Sequence, residues 1–240
     1  MPLTVLPDCQ TACHEASRCM THAVQSALKD KDRAVIALSG GSTPWPMLAE
    51  FFAQPLPWPR IHLFQVDERL APMDSPERNW FHLAPLLPSG LMTHPVPADQ
   101  AIPADALARV YEAELIRICG TPPQLDLIHL GLGTDGHTAS LAPGHSVTGI
   151  EDRFVAPVDS FHGRPRLTLT RPTLNRGVRR LWLACGQDKR EALARWLARD
   201  PGIPAGRVGG LDDPFFCDRA AAPSRQWQQT TSRSQQDAPR

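Results

Sequence analysis

The sequence predicts an α/β fold, a mostly parallel sheet covered by helices on both faces, and three observations carry that expectation. Short apolar runs, several of them β-branched, alternate with stretches of helical apolar spacing, the pattern of repeated strand and helix units. Four of these runs lead directly into a glycine-rich or charged loop. At 240 residues, 42% hydrophobic and 21% charged, the chain can bury one sizeable core.

In chain order, the first helical stretch is expected over about residues 8–28, where Val5, Cys9, Ala12, Ala16, Cys19, Met20, Ala23 and Leu28 keep helical spacing. Ala34–Leu38 reads as a buried strand, followed by a helix near 44–54 that opens on Pro44, a residue suited to a first turn. Ile61–Val66 reads as the next strand, with helices near 77–87 and 104–118. Leu125–Leu130 and Leu181–Cys185 complete the four strands, and a last helix covers about 188–198. Proline, 25 of 240 residues, concentrates in connections such as Gln54–Pro59. A single domain is expected over residues 1–222, with 223–240, rich in Ser, Gln, Thr and Arg, as a disordered polar tail.

Composition excludes several classes of function. The 25 basic and 25 acidic side chains cancel, so no global field exists to hold a polyanion, and nucleic acid is not an expected partner. Wholly apolar runs such as Leu181–Cys185 fall far short of the ~20 residues of a membrane span. Met1–Val5 lacks a basic segment leading into an apolar one, so a cytoplasmic address is expected. The six cysteines include no Cys-x-x-Cys pair and are expected as free thiols. Cys9, Cys13, His14, Cys19 and His22 cluster, but their helical spacing favours core packing over metal ligation, and no metal is expected. Residues 1–120 hold 9 basic and 13 acidic side chains and residues 121–240 hold 16 and 12. Seven arginines lie between Arg153 and Arg180 with one acid, Asp159, either as a solvated face or as a positive wall for a small anion.

The loops after the four strands carry the chemistry. They are Ser39-Gly40-Gly41-Ser42-Thr43-Pro44, Asp67-Glu68-Arg69, the stretch 131–138 with Asp135, Gly136 and His137, and Gly186-Gln187-Asp188-Lys189. Ligands of open α/β sheets bind beyond the carboxyl ends of the strands, so all four can face one pocket. The first loop suits an anion, because paired glycines turn backbone N–H groups toward a ligand while Ser42 or Thr43 caps the helix that follows. It lacks the Walker spacing, so no nucleotide is implied. In the third loop an acid flanks an imidazole across a glycine, an arrangement suited to general-base activation of water. His62 and His129, alone on strands, are expected to be structural.

Five motifs in register resemble the 6-phosphogluconolactonase family: Ser39–Pro44; Val66–Arg69 with Asn79; Leu130–Leu141 with Pro143-Gly144; Arg166–Thr170; and Asp218–Ala222. The resemblance covers about residues 5–222. It implies the three-layer α/β fold shared with glucosamine-6-phosphate deaminase and ribose-5-phosphate isomerase. It also implies hydrolysis of 6-phospho-D-glucono-1,5-lactone to 6-phosphogluconate in the oxidative pentose phosphate pathway, without metal or cofactor; the partner expected is this small phosphorylated sugar lactone, and the chain is expected as a monomer or weak dimer. Carried onto this sequence, it implies His137 as the base, Asp135 or Asp67 as the group orienting the imidazole, and Arg69 or backbone N–H groups facing the oxyanion. Gly40, Gly41, Ser42, Thr43, Arg69, Lys189 and, less directly, Arg166 are implied for the phosphate.

Two departures stand out. Ala142 replaces the usual Phe in the Leu-Phe-Pro-Gly run, and Arg78 stands where a serine commonly precedes Asn79, so a cation is expected at the pocket rim. Two other functions compete: a deaminase or aldose–ketose isomerase of the same fold, and a non-catalytic sugar-phosphate sensor. A sensor needs a DNA-binding module, for which the single helix before the first strand leaves no room.

Overall fold

Asp8 stops the first strand and starts the first helix, because its carboxylate accepts the Thr11 N–H at 2.8 Å and satisfies a free helix donor. The protein is described by a computed structural model over residues 3–98 and 101–223; the expected polar tail lies, from residue 224 on, outside the described residues. The elements run β1 (Leu3–Leu6), α1 (Cys9–Asp30), β2 (Ala34–Leu38), α2 (Pro44–Phe52), β3 (Ile61–Gln65), β4 (Asp67–Arg69), α3 (Asn79–Leu83) and β5 (Met92–His94). They continue with α4 (Ala104–Cys119), β6 (Leu127–Gly131), β7 (Val155–Phe161), β8 (Arg164–Leu169), α5 (Arg171–Arg176), β9 (Arg179–Ala184), α6 (Arg190–Leu197) and β10 (Phe215–Asp218).

Seven strands form one parallel sheet in the order β1-β10-β9-β6-β2-β3-β5. From β2 the chain steps to β3 and β5 on one side, whereas β6 and the later strands build outward on the other. The order therefore reverses between β2 and β6, where Leu38 pairs with His129, and a crevice opens beyond that point. A second, three-stranded antiparallel sheet, β4-β8-β7, covers one side of this crevice. Val66 joins the two sheets: its N–H donates to Leu38 O at 3.0 Å, and its carbonyl accepts from Leu169 N at 2.8 Å.

Alternation along the central strands divides the core. Ile36 and Leu38 pack with Ala12, Ala16, Met20 and Val24 of α1 and with Met47, Leu48 and Phe51 of α2. Val35 and Ala37 face the other way, onto Leu107, Tyr111 and Leu115 of α4 and Leu193 and Trp196 of α6. The four expected strands are present, because strands buried on both faces read as continuous apolar runs. The expected 77–87 helix is a single turn, Asn79–Leu83, followed by a 3-10 turn at Ala84–Leu86, since Pro85 supplies no N–H. Six strands were not expected. β4 is entirely charged, and β7 carries Pro157 at the edge of the small sheet, where a missing donor is tolerated.

Candidate active site

The carboxyl ends of β2, β3, β6 and β9 open on a cavity of 280 Å³. Every marked loop reaches its wall: Gly40, Gly41, Ser42 and Thr43 from the first, Asp67 and Arg69 from the second, Gly133 and His137 from the third, Lys189 from the fourth. Arg166 on β8 and Asn79 at the start of α3 join them. Asp135 reaches the site through His137, its Oδ1 lying 2.6 Å from His137 Nδ1.

That contact fixes the imidazole. An ionised carboxylate only accepts, so Nδ1 carries the proton and Nε2 keeps its lone pair. The same Oδ1 accepts the His137 backbone N–H at 3.0 Å, which locks the loop around the ring. The ring packs edge-on against Phe161, with centroids 4.8 Å apart. A Cβ on Gly133 would sit 1.9 Å from His137 Nδ1, so only glycine admits the imidazole here. Burial pushes the His137 pKa below its ordinary value, with Asp135 pulling the other way. Burial also acts to raise Asp135, but the backbone N–H and imidazole of His137 outweigh it and hold that carboxyl below the usual range.

Asp67, the alternative orienting group, does not bond to the imidazole. Its Oδ2 accepts from the Ser140 hydroxyl at 2.6 Å and pairs with Arg166 Nη1 at 3.5 Å. Arg166 is further held by the Phe161 carbonyl at 3.2 Å, with its guanidinium 4.7 Å from the Phe161 ring centroid. Asp67 and Arg166 therefore form a buried pair in the cavity wall, set side by side because Asp67 and Arg69 of β4 pair with Thr168 and Arg166 of β8.

Arg69 is held by Asn79 Oδ1 at 2.7 Å and by the Glu77 carbonyl at 2.9 Å. Behind them Glu68, with no exposed surface, accepts from Gln65 Nε2 and from the backbone N–H groups of Arg69, Asn79 and Trp80, all at 2.7–2.8 Å. Arg78 corrects an expectation. It is absent from the cavity wall and fully buried, its Nε 3.6 Å from Glu68 Oε2 and its Nη2 donating to Val96 O at 2.7 Å. A buried carboxylate with four uncharged donors still lacks a countercharge, and Arg78 supplies it.

The glycine loop lies against Asn79, so close that a Cβ on Gly40 would fall 2.1 Å from Asn79 Oδ1. The expected cap at Thr43 is not made, because its backbone is already helical, with φ −67° and ψ −45°. Pro44 and Pro46 carry no N–H, which leaves the amides of residues 41–43 and Trp45 as the donors available to an anion. Lys189 sits in a 3-10 turn after Gly186, its ammonium 3.3 Å from Asp188. Of the two readings of the arginine run, the positive wall does not hold: of the seven arginines from Arg153 to Arg180, Arg166 alone lines the cavity. Arg153 is paired with Asp105, Arg164 with Glu77, Arg171 with Glu151 and Arg180 with Asp213.

Sequence reasoning missed Phe161 and His162, which form the cavity rim at the β7–β8 turn, where His162 has φ 52°. The Phe-His-Gly turn between two alternating strands was the available signal. His129 is buried, and its carbonyl accepts both the N–H and the hydroxyl of Ser39. Burial lowers its pKa to about 4, so the ring is neutral. Among the described residues no group of three or more His, Cys, Asp or Glu side chains is arranged to hold a metal ion, and no helix is long and apolar enough to cross a membrane.

A crevice at the reversal point of a parallel sheet, with an imidazole held by a carboxylate and a glycine loop beside two arginines and a lysine, defines an α/β enzyme. The chain belongs to the family described as glucosamine-6-phosphate isomerases/6-phosphogluconolactonase, whose model matches residues 7–214. It is 37% identical over 205 residues to a 6-phosphogluconolactonase of Synechocystis, covering 81% of this chain and 84% of that protein. It is 34% identical over 244 residues to the 6-phosphogluconolactonase of Mycobacterium tuberculosis, covering 92% and 96%. The crystal structure of 6-phosphogluconolactonase from Thermotoga maritima superposes with a TM-score of 0.78 at 32% identity, covering 90% of this chain and 98% of that one. A monomeric glucosamine-6-phosphate deaminase shares the fold, with a TM-score of 0.75 at 21% identity and coverage of 92% and 98%.

Proposed function

We propose that the protein hydrolyses 6-phospho-D-glucono-1,5-lactone to 6-phospho-D-gluconate, the lactone-opening step of the oxidative pentose phosphate pathway. The 2.6 Å contact between Asp135 and His137 inside a cation-lined cavity carries this reading, together with the relatives of that name.

A δ-lactone is an activated ester, so water, a base and a charge-stabilising group suffice. His137 Nε2 takes a proton from water as the oxygen attacks C1, and Asp135 stabilises the imidazolium that forms. The negative charge moves onto the carbonyl oxygen, where a backbone N–H meets it. When the C1–O5 bond breaks, the departing ring oxygen takes the proton from His137, and the base is restored. The amides of residues 41–43, with Lys189, Arg69 and Arg166, bind the phosphate. Asp67 acts from its pair with Arg166, aligning the guanidinium without touching the imidazole.

The deciding experiment follows hydrolysis of freshly generated 6-phosphogluconolactone against its spontaneous background. A rate no higher than background overturns the proposal.

A further inference from the structure

Three of the six cysteines meet at one corner behind the glycine loop, and the mechanism uses none of them. The sheet register brings them together. Leu6 pairs with Asp218, and Cys217 pairs with Ala184, so Cys185 follows β9 in the same row as Leu6 and Asp218. Cys9 opens α1 three residues after Leu6, and Cys13 lies one turn further on. Cys9 and Cys185 pack against the same apolar cluster that holds Cys13, and the Cys9 thiol is close enough to act on both, raising the pKa of each. Cys9 and Cys185 are partly exposed, whereas Cys13 is buried.

Both sides of this corner lead to the cavity. On the α1 side, the Cys13 thiol donates to the carbonyl of Thr43, in the glycine loop, at 3.5 Å. On the β9 side, Cys185 adjoins the wall residue Ala184 and begins the turn that carries Lys189, anchored by Gly186 N–H to Asp218 at 3.1 Å.

We propose that Cys9 and Cys185 are a reversible disulfide site whose closure weakens phosphate binding in the cavity. The oxidant is hydrogen peroxide. The Cys9 thiolate attacks one peroxide oxygen, the O–O bond breaks, and the departing hydroxide leaves as water after taking a proton. The resulting sulfenic acid is attacked by the Cys185 sulfur; the S–O bond breaks as the S–S bond forms, and the hydroxide leaves as water with the Cys185 proton. Two thiols are thus oxidised, one peroxide is reduced, and two waters are released.

Cys9 and Cys13 are excluded as the pair. Helical residues four apart hold their Cβ atoms about 5–6 Å apart, against the roughly 3.5–4.5 Å a disulfide requires. Burial raises the Cys13 thiol to about 12 and also raises Cys185, which makes Cys9 the attacking group and Cys185 the resolving one. Closing the bond draws the α1 start and the Lys189 turn together, so the ammonium and the Thr43 loop both shift.

The test treats the reduced protein with hydrogen peroxide and maps it by mass spectrometry after tryptic digestion without reductant. The expected product joins peptide 1–18 to peptide 181–189, forms equally in Cys13→Ser and is absent in Cys9→Ser. Calorimetry with 6-phosphogluconate should show binding about tenfold weaker after oxidation, the effect of one displaced charge-assisted contact, restored by dithiothreitol. The inference rests on the phosphate assignment above only in this second measurement. Over-oxidation to sulfinic acid without cross-linking overturns it, and so does a cross-link that leaves affinity unchanged. If the reduced protein does not bind 6-phosphogluconate at all, the proposed function falls instead, and the mapping alone judges the thiol pair.

Discussion

Asp135 Oδ1 touches His137 twice, at the ring Nδ1 and at the backbone N–H, so one carboxylate oxygen sets both the orientation of the imidazole and the turn that presents it. No comparable contact joins Asp67 to the ring, and the two carboxylates therefore have separable effects.

Replacing His137 by Ala removes the base but no group assigned to the phosphate. We expect kcat to fall roughly 10²–10⁴-fold, the usual contribution of a positioned base, while product affinity measured by calorimetry stays close to that of the unaltered protein. Near-normal kcat would exclude His137 as the base.

The pH profile carries a sign. Burial lowers the His137 pKa, so the acid limb of kcat/KM should lie below the ordinary histidine value. Asp135 opposes that shift by favouring the imidazolium, so Asp135→Asn should move the limb further toward acid and lower kcat as well. A limb that moves toward neutral pH in this variant would mean that another group sets it.

Lys189→Ala and Arg69→Ala should weaken the phosphorylated lactone more than unphosphorylated gluconolactone. The lost contact is worth on the order of 1.5–3 kcal/mol, or about ten- to over a hundredfold. Equal losses in KM for both substrates would remove these residues from the phosphate site.

Arg78→Leu leaves the fully buried Glu68 without its countercharge. Breaking such a pair typically costs about 3–5 kcal/mol, to be read as a lower urea midpoint. Substrate affinity of the folded fraction should be unchanged, since Arg78 does not reach the cavity; a specific rise in KM would return it to the rim.

No ammonia should be released from glucosamine 6-phosphate. Ala142, which follows the His137 loop, is 2% exposed and lies in the apolar core, so that position supplies no carboxylate to relay a proton for ring opening. A methyl group neither carries a proton nor holds an imidazolium. Ammonia above the no-enzyme control would refute this.

The central sheet and its four loops were legible because buried parallel strands write themselves as apolar runs, and ligand loops follow their carboxyl ends. The small sheet was not. Asp67 and Arg166 are 99 residues apart, and β4 is three charged residues whose burial depends on hydrogen bonds that no hydropathy pattern records. Arg78 was misplaced for the same reason: a charge beside a site motif suggests a rim, whereas its acidic partner, Glu68, lies beneath the wall. The separate roles of Asp135 and Asp67 required coordinates, since both stand in strand-end loops that converge on one cavity.

The β7–β8 hairpin is tied to the parallel sheet at its base, through Leu169 and Val66, while its tip at 161–163 forms the rim. Base and tip thus answer to different demands. Folding constrains the first, whereas the positive φ of His162 and Gly163 limits the second only to residues that tolerate a left-handed turn, outside the strands that carry the base, the acid or the glycine loop. Substrate preference can drift at this turn while the hydrolytic machinery stays fixed, which makes it the place to graft acceptance of a differently substituted lactone.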